Sequence, residues 1–98
     1  MASEEQLAIF RQGPWVWNAW CREHLDSVVD LSGASLTGAN LIEANLREAN
    51  LREANLREAN LRGADLTGAN LSQSLLTGVM FDGAITTRAE FDGATEAP

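Results

Sequence analysis

Residues 44–68 read Ala44-Asn45-Leu46-Arg47-Glu48, Ala49-Asn50-Leu51-Arg52-Glu53, Ala54-Asn55-Leu56-Arg57-Glu58, Ala59-Asn60-Leu61-Arg62-Gly63, Ala64-Asp65-Leu66-Thr67-Gly68. The stretch beats in fives, and the beat decides the fold. Its residues are mostly good helix formers, yet a helix cannot use this spacing. At ~100° per residue, five residues advance the leucines by about 140° net, so they spiral around a helix and leave no apolar stripe. A flat strand fails as well, because an odd step sends successive leucines to opposite faces. A backbone that turns a corner every five residues brings every Leu and every Ala to one axis.

Reading outward in both directions, the beat runs from Val29 to Gly93 as thirteen consecutive blocks. The central position is Leu from Leu31 to Leu76, then Phe81, Thr86 and Phe91, so one centre is polar. The position two before the centre is Ala except at Val29, Ser74 and Val79. Leu fills the axis, and Ala fits beside it where a larger side chain would push turns of the backbone apart. Asn or Asp between them can bond nearby backbone at the corner. Many blocks close on Gly, which tolerates the positive φ of a type II corner. Those closing on Glu43, Glu48, Glu53 or Glu58 are expected to use a corner with negative φ.

These blocks resemble the pentapeptide-repeat family, whose motif is Ala-Asp/Asn-Leu-x-x, over 65 of the 98 residues. The resemblance implies an all-β fold: a right-handed, quadrilateral parallel β-helix with one block per side and four blocks per coil. Thirteen blocks then give about three and a quarter coils, a shaft of roughly 16 Å at the usual spacing of adjacent chains. The expected organisation is an N-terminal helical cap over 1–28, the β-helix over 29–93 and a tail over 94–98.

A solenoid end exposes unpaired backbone and core, so it needs a cover. Ser3 with Gln6 fits a capping box at the start of a short helix reaching Phe10. Gly13-Pro14 breaks that helix and opens a second one to about Leu25. The second helix holds all three tryptophans, Trp15, Trp17 and Trp20. They either plug the first coil, as aromatic burial favours, or form an exposed partner contact. Similar tryptophan-rich segments precede the repeats in some bacterial, notably cyanobacterial, members of the family. At the other end the residue before the centre changes from polar to apolar at Leu75, Met80 and Ile85, and the axis gains Phe81 and Phe91. Apolar residues on the outside of a terminal coil suggest an interface, and family members that dimerise often join there. A homodimer through this coil is expected; the alternative is a distorted coil that folds these side chains inward.

The net charge is −7, which disfavours direct nucleic-acid binding, since that needs a basic face. No apolar run is long enough to span a bilayer, and the acidic N-terminus lacks signal-peptide character, so a cytoplasmic, soluble protein is expected. Catalytic, cofactor-binding and metal-ligating residues are not expected. His24 is the single histidine, Cys21 the single cysteine, and neither has a fixed partner in sequence. The anticipated role is a non-catalytic structural or protein-interaction module with an unknown partner. The alternative, also implied by the resemblance, is a DNA mimic that binds a type II topoisomerase such as gyrase. Mimicry needs long acidic stripes. Here the repeats carry nine acids and five arginines, and Arg47, Arg52, Arg57 and Arg62 fall on four different sides, as a belt of weak surface ion pairs with the neighbouring glutamates.

Overall fold

A computed structural model describes residues 1–98. Two helices, α1 (Glu4–Phe10) and α2 (Pro14–Glu23), precede the repeats. The repeats then wind in coils of twenty residues. Asp30 bridges Asn50, Ser35 bridges Asn55, Asn40 bridges Asn60 and Asn45 bridges Asp65, all in parallel, and the series continues to Leu75 with Thr95. Four bridges five residues apart define four sides. The beat thus reaches Thr95, two residues beyond the expected end of the repeats.

Each bridge is one residue pair, so no continuous strand or sheet forms, and the expected all-β character is present only as isolated parallel bridges. The reason is the corner after every fifth residue. Between corners each side still makes its inter-coil bonds. Leu31 donates to Asn50 O at 2.8 Å, Gly33 to Arg52 O at 2.9 Å, and Asn50 donates back to Val29 O at 2.9 Å.

The axis is as dry as the spacing requires. Leu31 to Leu76 at the centres and Ala44 to Ala69 beside them are buried in one apolar core with Phe10 and Trp17. Ser74 takes an Ala place and is fully buried, with its hydroxyl donating to Leu71 O at 2.6 Å, so no polar atom is left unsatisfied there.

The Asn/Asp position does what its chemistry allows. Oδ1 of Asn50 accepts from Arg52 N at 3.0 Å, and Oδ1 of Asn70 from Ser72 N at 2.9 Å. The same two-residue reach recurs from Asp30, Asn40, Asn45, Asn55, Asn60 and Asp65. These are Asx turns, at eight of the corners.

The corner expectation for the glutamates is wrong. Glu43, Glu48, Glu53 and Glu58 have φ of 60–63°, and Gln73 and Arg88 are also positive at 60° and 59°. The closed four-sided coil fixes the corner geometry, and residue type does not select another. A side chain in this region costs roughly 1–2 kcal/mol of backbone strain, offset by coil packing. Three of these glutamates, Glu43, Glu48 and Glu58, lie against Gly63, Gly68 and Gly78 of the next coil, where a Cβ would crowd them: one on Gly68 would collide with the Glu48 carboxylate.

Candidate functional site

The two ends of the repeat region differ. In the interior, each bridging residue donates its N–H to, and accepts at its C=O from, the coil before it. The first coil has no preceding coil, and the helical segment supplies substitutes side by side. On the first side Ser3 N donates to Asp30 O at 2.8 Å. The Gln6 amide accepts from Asp30 N at 2.8 Å and donates to Val28 O at 2.8 Å. On the second, Arg11 Nη2 donates to Ser35 O at 3.2 Å. On the fourth, Asn18 Oδ1 accepts from Asn45 N at 2.7 Å, Asn18 Nδ2 donates to Glu43 O at 2.9 Å, and Trp17 Nε1 donates to Asn45 O at 2.7 Å. Two side-chain amides thereby imitate the peptide groups of a coil.

Sequence reasoning missed this use of Gln6. Ser3 Oγ does accept from Gln6 N at 3.2 Å, which is half of the expected capping box. The reciprocal half is absent, because the Gln6 side chain reaches across to the first coil. Asn18 was not singled out at all, and its only sequence signal is its place one residue after the buried Trp17.

The third side is different. Neither the N–H nor the C=O of Asn40 bonds to another protein group through the backbone or through a side chain of the helical segment. Two concavities meet there, both lined by Gln12, Gly13 and Asn40. One continues toward Phe10 and Ser35, the other toward Trp15, Ile42 and Glu43.

The tryptophans differ in burial. Trp17 is 0% exposed, edge-on to Phe10 with ring centroids 5.0 Å apart, whereas Trp15 is 87% exposed. Trp20 is half-buried in a stack between Trp17 at 5.1 Å and His24 at 4.3 Å. His24 Nδ1 donates to Trp20 O at 2.8 Å, so the ring is tied back onto α2. Burial pushes the Cys21 thiol up, against the opposing pull of Arg22. This suits a packing residue and works against a thiolate nucleophile.

At the last coil, Leu75, Met80 and Ile85 bridge Asn55, Asn60 and Asp65 on three successive sides. Leu75 and Met80 are half-buried and Ile85 is 48% exposed. Phe81 and Phe91 lie on the axis in an edge-to-face pair 6.4 Å apart, both half-buried where earlier centres are closed. Phe81, Phe91, Met80 and Ile85 therefore form an apolar end, while Thr95 pairs over Leu75.

Charge is scattered. Two of the belt arginines pair with aspartates of the next coil and none with the neighbouring glutamates: Arg47 with Asp65 at 3.0 Å and Arg62 with Asp82 at 3.6 Å. Burial raises the Asp65 carboxyl, but bonds from Thr67 and Arg47 outweigh it and hold it below the usual range. Asp30 is lowered chiefly by its bonds from Ser32. The outward ladder with acids at both ends runs Asp30, Asn50, Asn70, Glu90, with two neutral rungs between them. No helix is long and apolar enough to cross a membrane.

Comparison with known proteins agrees with this geometry. The family model described as pentapeptide repeats, in eight copies, matches residues 30–68 and 54–95. No curated protein matches the chain. Among solved structures, it is similar to the pentapeptide repeat protein Rfr23 from the cyanobacterium Cyanothece 51142. Identity is 38% and the TM-score 0.67, over 69% of this chain and 46% of that one. It is also similar to HetL, a pentapeptide repeat protein involved in heterocyst differentiation regulation in the cyanobacterium Nostoc sp. strain PCC 7120. There the identity is 37% and the TM-score 0.60, over 66% of this chain and 33% of HetL. The chain thus aligns with less than half the length of either neighbour. With a five-residue beat, twenty-residue coils and a family match from residue 30 to residue 95, the chain belongs to the pentapeptide-repeat family.

Proposed function

We propose that this chain is a non-catalytic protein-interaction module. In this reading it is a right-handed β-helix with α1 and α2 as its cap, and it joins a second copy through its last coil. The observation that carries the dimer is the apolar end. Phe81 and Phe91 are half-exposed on the axis, with Met80 and Ile85 on two successive open sides and Leu75 on a third, where Thr95 pairs over it, all in places that hold Asn or Asp one coil earlier. Residues on three different sides cannot share one lateral contact. End-to-end contact gathers the two phenylalanines with Met80 and Ile85, and a two-fold axis across the end makes it self-complementary. The narrow axis filled with Leu and Ala supports a surface role over a pocket enzyme.

Sedimentation or light scattering of the purified protein tests the reading. The wild type is expected to be a dimer and Met80→Glu a monomer with unchanged circular dichroism. A wild-type monomer at 100 µM, or a Met80→Glu dimer, overturns the interface (about 100 µM is ample for a biological contact).

A further inference from the structure

The last coil differs chemically from the others at its corners. Where a block closes on Gly, the residue before it is Ser, Thr or Arg from Gly33 to Gly78, and Asp at Asp82-Gly83 and Asp92-Gly93. No other Asp precedes a Gly, and no Asn does. Each pair forms the middle of a turn: Ala84 N donates to Phe81 O at 2.8 Å and Ala94 N to Phe91 O at 2.9 Å. Both glycines have φ of 74°. At an inner corner the central peptide is held from both neighbouring coils. Glu43 N donates to Arg62 O at 2.9 Å, and Gly63 N donates to Asp82 O at 2.9 Å. The last corners are held from one side only, by Gly63 N at Asp82 O and by Gln73 N at Asp92 O at 2.8 Å. The N–H groups of Gly83 and Gly93 face the open end and donate to no protein group. Both aspartates are exposed. Asp82 is drawn toward Arg62 at 3.6 Å, whereas Asp92 has no ion pair.

We infer that Asp82 and Asp92 are sites of spontaneous backbone isomerisation to isoaspartate, with Asp92 the faster. This chemistry goes beyond the interaction-module reading and stands without it. Rotation of the central peptide breaks one inter-coil bond here, against two at an inner corner, and turns the Gly nitrogen toward Cγ of the aspartate. Glycine permits the rotation and brings no Cβ to block the approach. The N–Cγ bond forms, a Cγ–O bond of the protonated carboxyl breaks, and that oxygen leaves as water with the amide proton and the carboxyl proton. Water then opens the cyclic imide. Attack at Cγ restores Asp. Attack at the backbone carbonyl carbon leaves the chain running through Cβ and Cγ, with the former backbone carbonyl as a free carboxylate. The water lost and the water gained cancel, so the mass is unchanged and no co-reactant is needed. The extra backbone atom falls inside a turn whose closing bond joins residues beside Phe81 or Phe91. Isomerisation therefore opens the coil that carries the apolar end.

The test incubates the full chain at neutral pH and physiological temperature and maps its peptides by chromatography with electron-transfer fragmentation, which separates isoaspartyl from aspartyl chains. Wild type, Met80→Glu and Arg62→Asp are compared. The last variant creates an Asp-Gly pair at an inner, exposed corner whose central peptide is held twice. Isoaspartate is expected at residue 92 first and at residue 82 next. The inner pair is expected to be about two- to tenfold slower than Asp92, the range of one backbone hydrogen bond. Loss of the Arg62 partner is expected to speed Asp82 in the same chain. Amide exchange at Ala84 and Ala94 is expected to quicken as the product accumulates, and to stay slow in Asp82→Glu with Asp92→Glu, whose longer side chains form the imide poorly. Absence of isoaspartate from both sites in wild type and Met80→Glu alike, or an inner pair as fast as Asp92, overturns the proposal. Formation of isoaspartate in Met80→Glu supports it whether or not the wild type is a dimer, so failure of the dimer and failure of this chemistry read out separately.

Discussion

Truncating Leu56 to Ala probes the axis where it is most enclosed. Leu56 is fully buried, with Leu36 and Leu76 at the equivalent places one coil below and above. The change removes three carbons, worth about 2.4 kcal/mol at ~0.8 kcal/mol per buried methylene. Relaxation cannot recover much of this, because Leu56 N donates to Leu75 O at 2.9 Å and Leu36 N to Asn55 O at 2.8 Å, which fixes the coil spacing. The retained cavity brings the cost to about 3–4 kcal/mol, inside the ~2–5 kcal/mol range for such truncations. A domain of this length has a total stability of about 5–15 kcal/mol. Urea unfolding followed by circular dichroism should therefore show the midpoint falling by about 2 M, for a slope of ~1.5–2 kcal/mol/M. Leu56→Met conserves volume and should cost less than about 1.5 kcal/mol. If the Ala variant shifts no more than the Met variant, the axis is not a dry, rigid core and the coil assignment fails.

Other perturbations address the cap, the corners and the charges. Gln6→Ala leaves the Asp30 N–H and the Val28 carbonyl without their amide partner, and should cost about 1–3 kcal/mol. Hydrogen exchange at Asp30 should quicken more than at Asn70, and equal quickening would refute the local role. Gly68→Ala combines a φ of 70° with a clash against Glu48. The Glu48 carboxylate can swing aside, so the backbone strain remains and should lower stability by about 1 kcal/mol; an unchanged thermal midpoint would contradict the positive φ at this corner. Asp65 has its carboxyl held below the usual range, so it contributes stability above the unfolded carboxylate value of ~3.9, lost as pH falls through its folded value. Asp65→Asn should therefore be less stable at pH 7 and should show a shallower loss of stability below about pH 4. An unchanged acid limb in thermal melts would count against the Arg47 and Thr67 bonds.

Much of this protein was legible before its coordinates. The five-residue beat alone excludes a helix and a flat strand, so it determines a cornered backbone with Leu and Ala inside. Oδ1 reaches the backbone two residues on because the distance is local, which is why the Asx turns could be read from sequence. The corner residues could not. Positive φ at Glu43 to Glu58 is imposed by closure of a coil on the next one, a constraint on the whole turn against which the preference of one residue counts for little. The site at the first coil was equally hidden. Gln6 meets Asp30 and Asn18 meets Asn45 across separations of more than twenty residues, and no spacing rule connects them. Trp15 and Trp17 share one helix and one residue type, yet one is open and the other sealed. Hydrophobicity determined that tryptophan belonged near the core; the docking angle of α2 on the first coil decided which one entered it and which was left beside the unfilled edge at Asn40.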